Sequence, residues 1–260
     1  MKIISKVMIK QIPWFFGMMA ISIFTACSYL GEPLEDLAIQ NRMVDQGDYI
    51  ILQHASVNPT IGFVFYPGGL VDPHVYLCWM DELISRNHEI MVFSLKIPGN
   101  LSIFKNQHGA SIPKDYPKIR HWLTGGHSLG GVSAAAMANR NPAPFSNVVF
   151  LGSWVTENYT LNQPQYRVLS ISGSRDGLST REKIDENEAF SPPRFIVTDP
   201  TIQSGQINNV TEFYEIPGGN HSGFGCYGLQ NGDNEADISV SEQQELMLTA
   251  ILTFIETLQP

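Results

Sequence analysis

The sequence predicts an α/β domain in which a mostly parallel central sheet is flanked by helices. Three observations carry that prediction. Short apolar runs alternate with helical stretches after residue 46, the order that builds parallel sheets through crossover helices. Runs such as Val148-Val-Phe-Leu151 are apolar at successive positions, as expected of strands covered on both faces. Ser128 lies in a glycine cluster, Gly125-Gly-His-Ser-Leu-Gly-Gly131, with an apolar run before it and an alanine-rich run after it.

The elements follow in order. Tyr49–Gln53 and Ile61–Tyr66 read as strands. Val75–Arg86 reads as a helix, opened by Asp72-Pro73 as N-cap and first-turn proline. Ile90–Leu95 is an almost uniformly apolar strand, and His121–Thr124 is a short one that runs into the glycines. Val132–Asn139 is a helix that stops before Asn141-Pro142. Val148–Gly152, Val168–Ser172 and Phe213–Ile216 read as three further strands. Glu242–Leu258 is a closing helix, and Ser239-Val-Ser-Glu242 is its capping box.

The composition, 43% hydrophobic and 16% charged over 260 residues, is that of one large globular domain. The net charge of −9 and the absence of a Lys/Arg run exclude a nucleic-acid footprint. Residues 1–26 stand apart. Lys2, Lys6 and Lys10 precede the uncharged stretch from Gln11 to Ala26, the pattern of a secretory signal, with an uncleaved membrane anchor as the rival. Phe24-Thr-Ala-Cys27 resembles the lipobox of bacterial lipoproteins, with Phe24 where that family has Leu. The resemblance implies lipidation at Cys27 and an exported, membrane-tethered domain. Residues 27–46 are then a tether, and the domain spans 47–260. The two remaining cysteines, Cys78 and Cys226, are either one disulfide or two separate thiols.

The flanks of the glycine cluster exclude a linker. Gly126-His-Ser-Leu-Gly130 has the G-x-S-x-G spacing of a nucleophile elbow between strand and helix. Such a turn holds its serine in a sparsely populated backbone conformation. Glycines two positions away avoid a clash, and the helix aims its first amides at the hydroxyl. The amide of Leu129 is therefore a candidate oxyanion donor. His127 is read as a neighbour that shapes the turn.

With Phe65-Tyr-Pro-Gly-Gly69, Ser172-Gly-Ser-Arg-Asp-Gly177 and Gly218-Gly-Asn-His-Ser-Gly-Phe-Gly225 following the same order, the chain resembles the α/β-hydrolase superfamily from about Gly47 to Leu258. The resemblance is to a small, cap-poor branch related to dienelactone hydrolases. It implies the α/β-hydrolase fold and a serine hydrolase in which Ser128 is the nucleophile, Asp176 the acid and His221 the general base, in the superfamily's chain order. Asp199, Asp233 and Asp237 are weaker candidates for the acid. The second oxyanion donor is implied to be the amide of Gly69 or Leu70. Many relatives insert a lid where this chain has only Ser153–Arg167, so no large lid domain is expected. Trp154, Phe224 and Tyr227 either line an acyl pocket or pack in the core. The expected substrates are small-molecule or acyl-lipid carboxylic esters, with amides, thioesters, lactones or a non-catalytic binding role as alternatives. No metal-ligand spacing, phosphate-binding loop or dinucleotide fingerprint occurs, so no cofactor is implied.

Overall fold

The computed structural model describes residues 29–30, 41–205 and 208–258. The signal or anchor segment and Cys27 lie outside the described residues. Among the described residues nine strands form one sheet in the order β1-β2-β4-β3-β5-β6-β7-β9-β8. They are β1 (Asn41–Asp45), β2 (Tyr49–His54), β3 (Ile61–Tyr66), β4 (Ile90–Leu95), β5 (His121–His127), β6 (Asn147–Leu151), β7 (Arg167–Gly173), β8 (Arg194–Val197) and β9 (Val210–Ile216). Only β2 runs against the others. The helices are α1 (Leu77–Arg86), α2 (Ile112–Asp115), α3 (Leu129–Arg140), α4 (Arg181–Glu186) and α5 (Val240–Glu256).

The successive apolar residues of the strands divide between the two faces, as a period of two requires. Phe63, Phe65, Val149 and Leu151 face a core completed by α1 and α5. Val64, Tyr66, Val148 and Phe150 face a second core that includes Ala134, Ala135, Met137 and Ala138 of α3. The small side chains of α3 let it lie close to the sheet. Asp72 caps the 3-10 turn Pro73–Tyr76 that leads into α1, its side chain accepting from the His74 amide. Ser239 caps α5, its Oγ accepting from the Glu242 amide at 3.1 Å.

Two edge strands escape the sequence reading. The tether assigned to residues 27–46 contains β1, and Tyr29 bridges to Val71, so the domain begins before Gly47. β1 is Asn-Arg-Met-Val-Asp with only Asn41 buried, and a strand at the sheet edge needs no apolar pattern. Asn41 holds it in place by donating to Asp81 and Ser85 of α1. β8 is a four-residue strand at the opposite edge, with Phe195 and Ile196 exposed. The loop between β6 and β7 carries only the 3-10 turn Glu157–Tyr159, and no large lid is evident among the described residues.

Cys78 of α1 and Cys226, in the loop after β9, form a disulfide with a Cα–Cα distance of 6.7 Å. The same junction carries bonds from the Cys226 amide to Val75 O at 2.9 Å and from Trp79 Nε1 to Phe224 O at 3.1 Å. The crosslink closes a span of 148 residues, and losing such a link costs about 2–5 kcal/mol. Reduction, or the pair Cys78→Ser and Cys226→Ser, is expected to lower Tm by on the order of 5–15 °C in calorimetry. An unchanged Tm would show that the α1 junction holds without the crosslink.

Candidate active site

The carboxyl ends of the parallel strands carry the site, which is where loops in open α/β sheets meet ligands. β5 ends at His127 and α3 starts at Leu129, leaving Ser128 alone at the turn with φ 54° and ψ −124°. A non-glycine residue there is strained by about 1–3 kcal/mol. The strain is held by bonds on both sides of the residue. The Ser128 amide donates to Leu151 O, and its carbonyl accepts from the Gly131 amide and from Ser153 Oγ at 2.7 Å. The glycines are needed for close approach. A Cβ on Gly126 would lie 2.4 Å from the Gly130 carbonyl carbon, and one on Gly130 would lie 2.1 Å from Tyr66 O. The first turn of α3 is thus pressed against the end of β3, where Tyr66-Pro-Gly-Gly-Leu70 begins.

That contact brings two amide donors together. A Cβ on Gly69 would sit 3.0 Å from Leu129 Cδ2, so the two residues adjoin. The amides of Gly69 and Leu129 make no hydrogen bond among the described residues. Leu70 does not share this role. Its amide donates to Asn100 O at 2.8 Å and its φ is 61°, so of the two expected donors only Gly69 remains available.

Asp176 and His221 form a buried pair. His221 is 0% exposed, and its Nδ1 lies 2.8 Å from Asp176 Oδ2. The other carboxylate oxygen accepts from the amides of Leu178 at 2.9 Å and Ser179 at 2.6 Å. These bonds fix the carboxylate and make Nδ1 the donor, which leaves the lone pair on Nε2. Nε2 is buried and has no hydrogen-bond partner among the described residues. The serine-to-histidine bond is therefore not formed in this arrangement. Such bonds commonly tighten only when substrate is bound.

Two further residues hold the pair, Gly152, which the sequence does not mark, and Asp233, which it offers only as a weaker candidate for the acid. Gly152, just past β6, has φ +50°, and a Cβ on it would lie 2.9 Å from Asp176 Oδ2 and 3.0 Å from His221 Nδ1. Asp233 bonds backbone amides and Ser222, not the His221 ring. Its Oδ1 accepts from the amides of Gly177 (3.1 Å), His221 (3.2 Å) and Asn234 (2.9 Å). Its Oδ2 accepts from the Ser222 amide (2.8 Å) and Ser222 Oγ (2.7 Å). One carboxylate thus ties the Asp176 turn to the His221 loop. The Asn-Gly-Asp-Asn setting of Asp233 reads as an ordinary turn, and nothing in its spacing marks this role. Asp199 instead bonds Thr201, and Asp237 pairs with Arg175 at 3.4 Å.

The expected pocket residues separate. Phe224 is fully buried in the α1–α5 core and is packing, not cleft wall. Tyr227 packs on Tyr29, with ring centroids 5.5 Å apart, and its hydroxyl donates to Gln230 at 3.1 Å. It belongs to the packing of the His221 loop. Trp154 is half-buried next to Ser153, whose hydroxyl holds the Ser128 carbonyl, so it adjoins the elbow without belonging to the core. Gly152→Ala is expected to destabilise the fold by about 1–3 kcal/mol in urea titration, from strain and from the clash with the buried pair. A change under about 0.5 kcal/mol would show that the pair has room to move.

A family model described as "Alpha/beta hydrolase family" matches residues 62–245. No curated protein sequence matches the chain. Solved structures of similar fold include Est1E from Butyrivibrio proteoclasticus, 13% identical, with 84% of this chain and 99% of that one covered and a TM-score of 0.52. An esterase from Mycobacterium tuberculosis is 10% identical over 88% of this chain and 94% of its own, with a TM-score of 0.55. A dienelactone hydrolase from Anabaena variabilis is 11% identical over 82% and 98%, with a TM-score of 0.52. These identities establish likeness of fold alone. The family match spans the elbow, the acid turn and the histidine loop, and by it the chain belongs to the alpha/beta hydrolase family.

Proposed function

We propose that the protein is a serine esterase that works through an acyl-enzyme. One observation carries the reading: the buried Asp176–His221 pair leaves an unpaired Nε2 on the same carboxyl-end face as a strained, half-buried Ser128. In the first half-reaction Ser128 Oγ bonds to the ester carbonyl carbon, and its proton passes to His221 Nε2. The carbonyl oxygen becomes an oxyanion, received by the amides of Gly69 and Leu129. Asp176 stabilises the resulting imidazolium through Nδ1–H. The carbon–oxygen bond to the leaving group breaks, and His221 gives its proton to the departing alkoxide. In the second half-reaction a water loses its proton to His221 and attacks the acyl carbon. The acid leaves and Ser128 takes the proton back.

The esterases among the structural neighbours support an ester substrate, and the same steps serve thioesters, lactones and amides. The unformed bond between Ser128 and His221 is the one observation favouring a non-catalytic binding protein on this fold. With the full chain in detergent, p-nitrophenyl esters from acetate to decanoate are expected to turn over. Ser128→Ala is expected to lower kcat by about 10⁴-fold or more, to background. Equal activity of the two proteins would place the chemistry elsewhere. Two folded, inactive proteins would favour the binding role.

From the lipobox-like Phe24-Thr-Ala-Cys27 we further propose that the domain lies outside the cytoplasm on a membrane tether, where it meets small-molecule or acyl-lipid esters. The disulfide between Cys78 and Cys226 supports an oxidising compartment. Cells fed labelled palmitate are expected to label the full chain and not Cys27→Ala. Equal labelling, or none, would contradict a lipidated Cys27.

A further inference from the structure

His127 fills the variable position of the elbow, and its surroundings are not those of a passive neighbour. The ring is fully buried. Its Nε2 lies 3.1 Å from the carbonyl oxygen of His221, and its Nδ1 lies 2.9 Å from the Tyr76 hydroxyl. The Tyr76 hydroxyl also accepts from the Gly68 amide at 3.0 Å. A carbonyl can only accept, so Nε2 of His127 must carry the proton. In the neutral ring Nδ1 then accepts, and the Tyr76 hydroxyl donates to it. Every polar atom along this path has a partner, and the direction of each bond is fixed.

We infer that Tyr76 and His127 are positioning residues. They form a relay, Gly68 N–H to Tyr76 Oη–H to His127 Nδ1 and His127 Nε2–H to His221 O, that sets the distance between the oxyanion donor and the general base. Gly68 immediately precedes the Gly69 amide that awaits the oxyanion. His221 O belongs to the base itself, and His127 immediately precedes the nucleophile. The three reacting components are thereby joined by one chain of hydrogen bonds.

Contacts beyond the bonds support the relay. A Cβ on Gly68 would lie 2.9 Å from His127 Nδ1 and 3.0 Å from Tyr76 Oη, so the oxyanion loop is closed down on both rings. The His127 and His221 rings are 4.4 Å apart between centroids, and the Tyr76 and Phe224 rings each lie 5.8 Å from that of His127. Burial, with the neighbouring His221 ring second, holds the His127 pKa well below the ordinary histidine value. Burial likewise raises that of Tyr76. Both groups are therefore neutral, and His127 adds no charge beside a base that must itself become cationic. A misplacement of about 1 Å at such a site costs on the order of 100-fold in rate.

The inference rests on Ser128 being a hydrolytic nucleophile, and its test keeps the two apart. Active sites of the full chain are first counted by titration with a fluorophosphonate, so that misfolded protein drops out of kcat. His127→Leu and Tyr76→Phe are each expected to lower kcat for p-nitrophenyl butyrate, per titrated site, by about 10–100-fold with KM within about threefold. The double variant is expected to be no slower than the slower single one, because both break one relay. His127→Gln, whose amide can accept from Tyr76 and donate to His221 O, is expected to recover most of the loss. Unchanged kcat per site in the single variants, or losses that multiply in the double, would overturn the relay. If wild type does not label, the hydrolase reading fails, and nitrogen-15 NMR of the imidazoles still decides the geometry. A neutral His127 protonated at Nε2 in wild type, with that preference lost in Tyr76→Phe, supports the relay. A cation or the other tautomer contradicts it.

Discussion

The hydrogen bond between His221 Nδ1 and Asp176 Oδ2 is the interaction around which the rest of this structure is arranged. Both side chains are out of water, and a buried carboxylate beside a buried imidazole is tolerable only when its remaining acceptor sites are filled. The amides of Leu178 and Ser179 fill them. Asp233 ties the two loops that carry the pair, and Gly152 makes room for it by having no side chain. The disulfide and Trp79 fasten the histidine loop to α1 a few residues further on.

The sheet order explains how distant segments meet. β3, β5, β6, β7 and β9 are consecutive neighbours, and each contributes one part from its carboxyl end. Across the sheet these are the Gly69 amide, Ser128, the gap at Gly152, Asp176 and His221. Asp176 and His221 follow adjacent strands, but His221 lies against His127 at the end of β5. Its loop therefore crosses back over β6, and Gly152 is the point it crosses. His127 then meets that loop from below. The loop is held at its acid turn, at its disulfide and at the elbow.

The parts legible in the sequence share one property: local chemistry forces them. The elbow shows because Gly126 and Gly130 must flank a strained serine. The central strands show because burial on both faces leaves uninterrupted apolar runs, and α5 shows through its Ser239 cap. The Asp176 turn and the His221 loop are legible only through the family resemblance and their order in the chain, since neither has a local pattern as constrained as the elbow's. What stayed hidden depends on contacts between remote segments. β1 and β8 lie at the edges, where half the side chains meet water and no apolar period is required. Asp233 and Gly152 are an ordinary turn Asp and an ordinary strand-end Gly until the chain brings them to His221. The Leu70 amide looked as available as that of Gly69, and only Asn100, 30 residues on, takes it away. Phe224 and Tyr227 sit near the histidine in sequence, but α1 and Tyr29 claim them for packing.

The proposed esterase activity stands or falls on Ser128 as a nucleophile activated by His221 and Asp176. A fluorophosphonate tests it without knowledge of the natural substrate, because phosphonylation needs only an activated hydroxyl. The full chain would be treated in parallel with His221→Gln, digested, and the adduct located by tandem mass spectrometry. One adduct is expected, on Ser128, with labelling slowed by about 10³-fold or more in the variant. An adduct elsewhere, or equal labelling of Ser128 in both proteins, would contradict it.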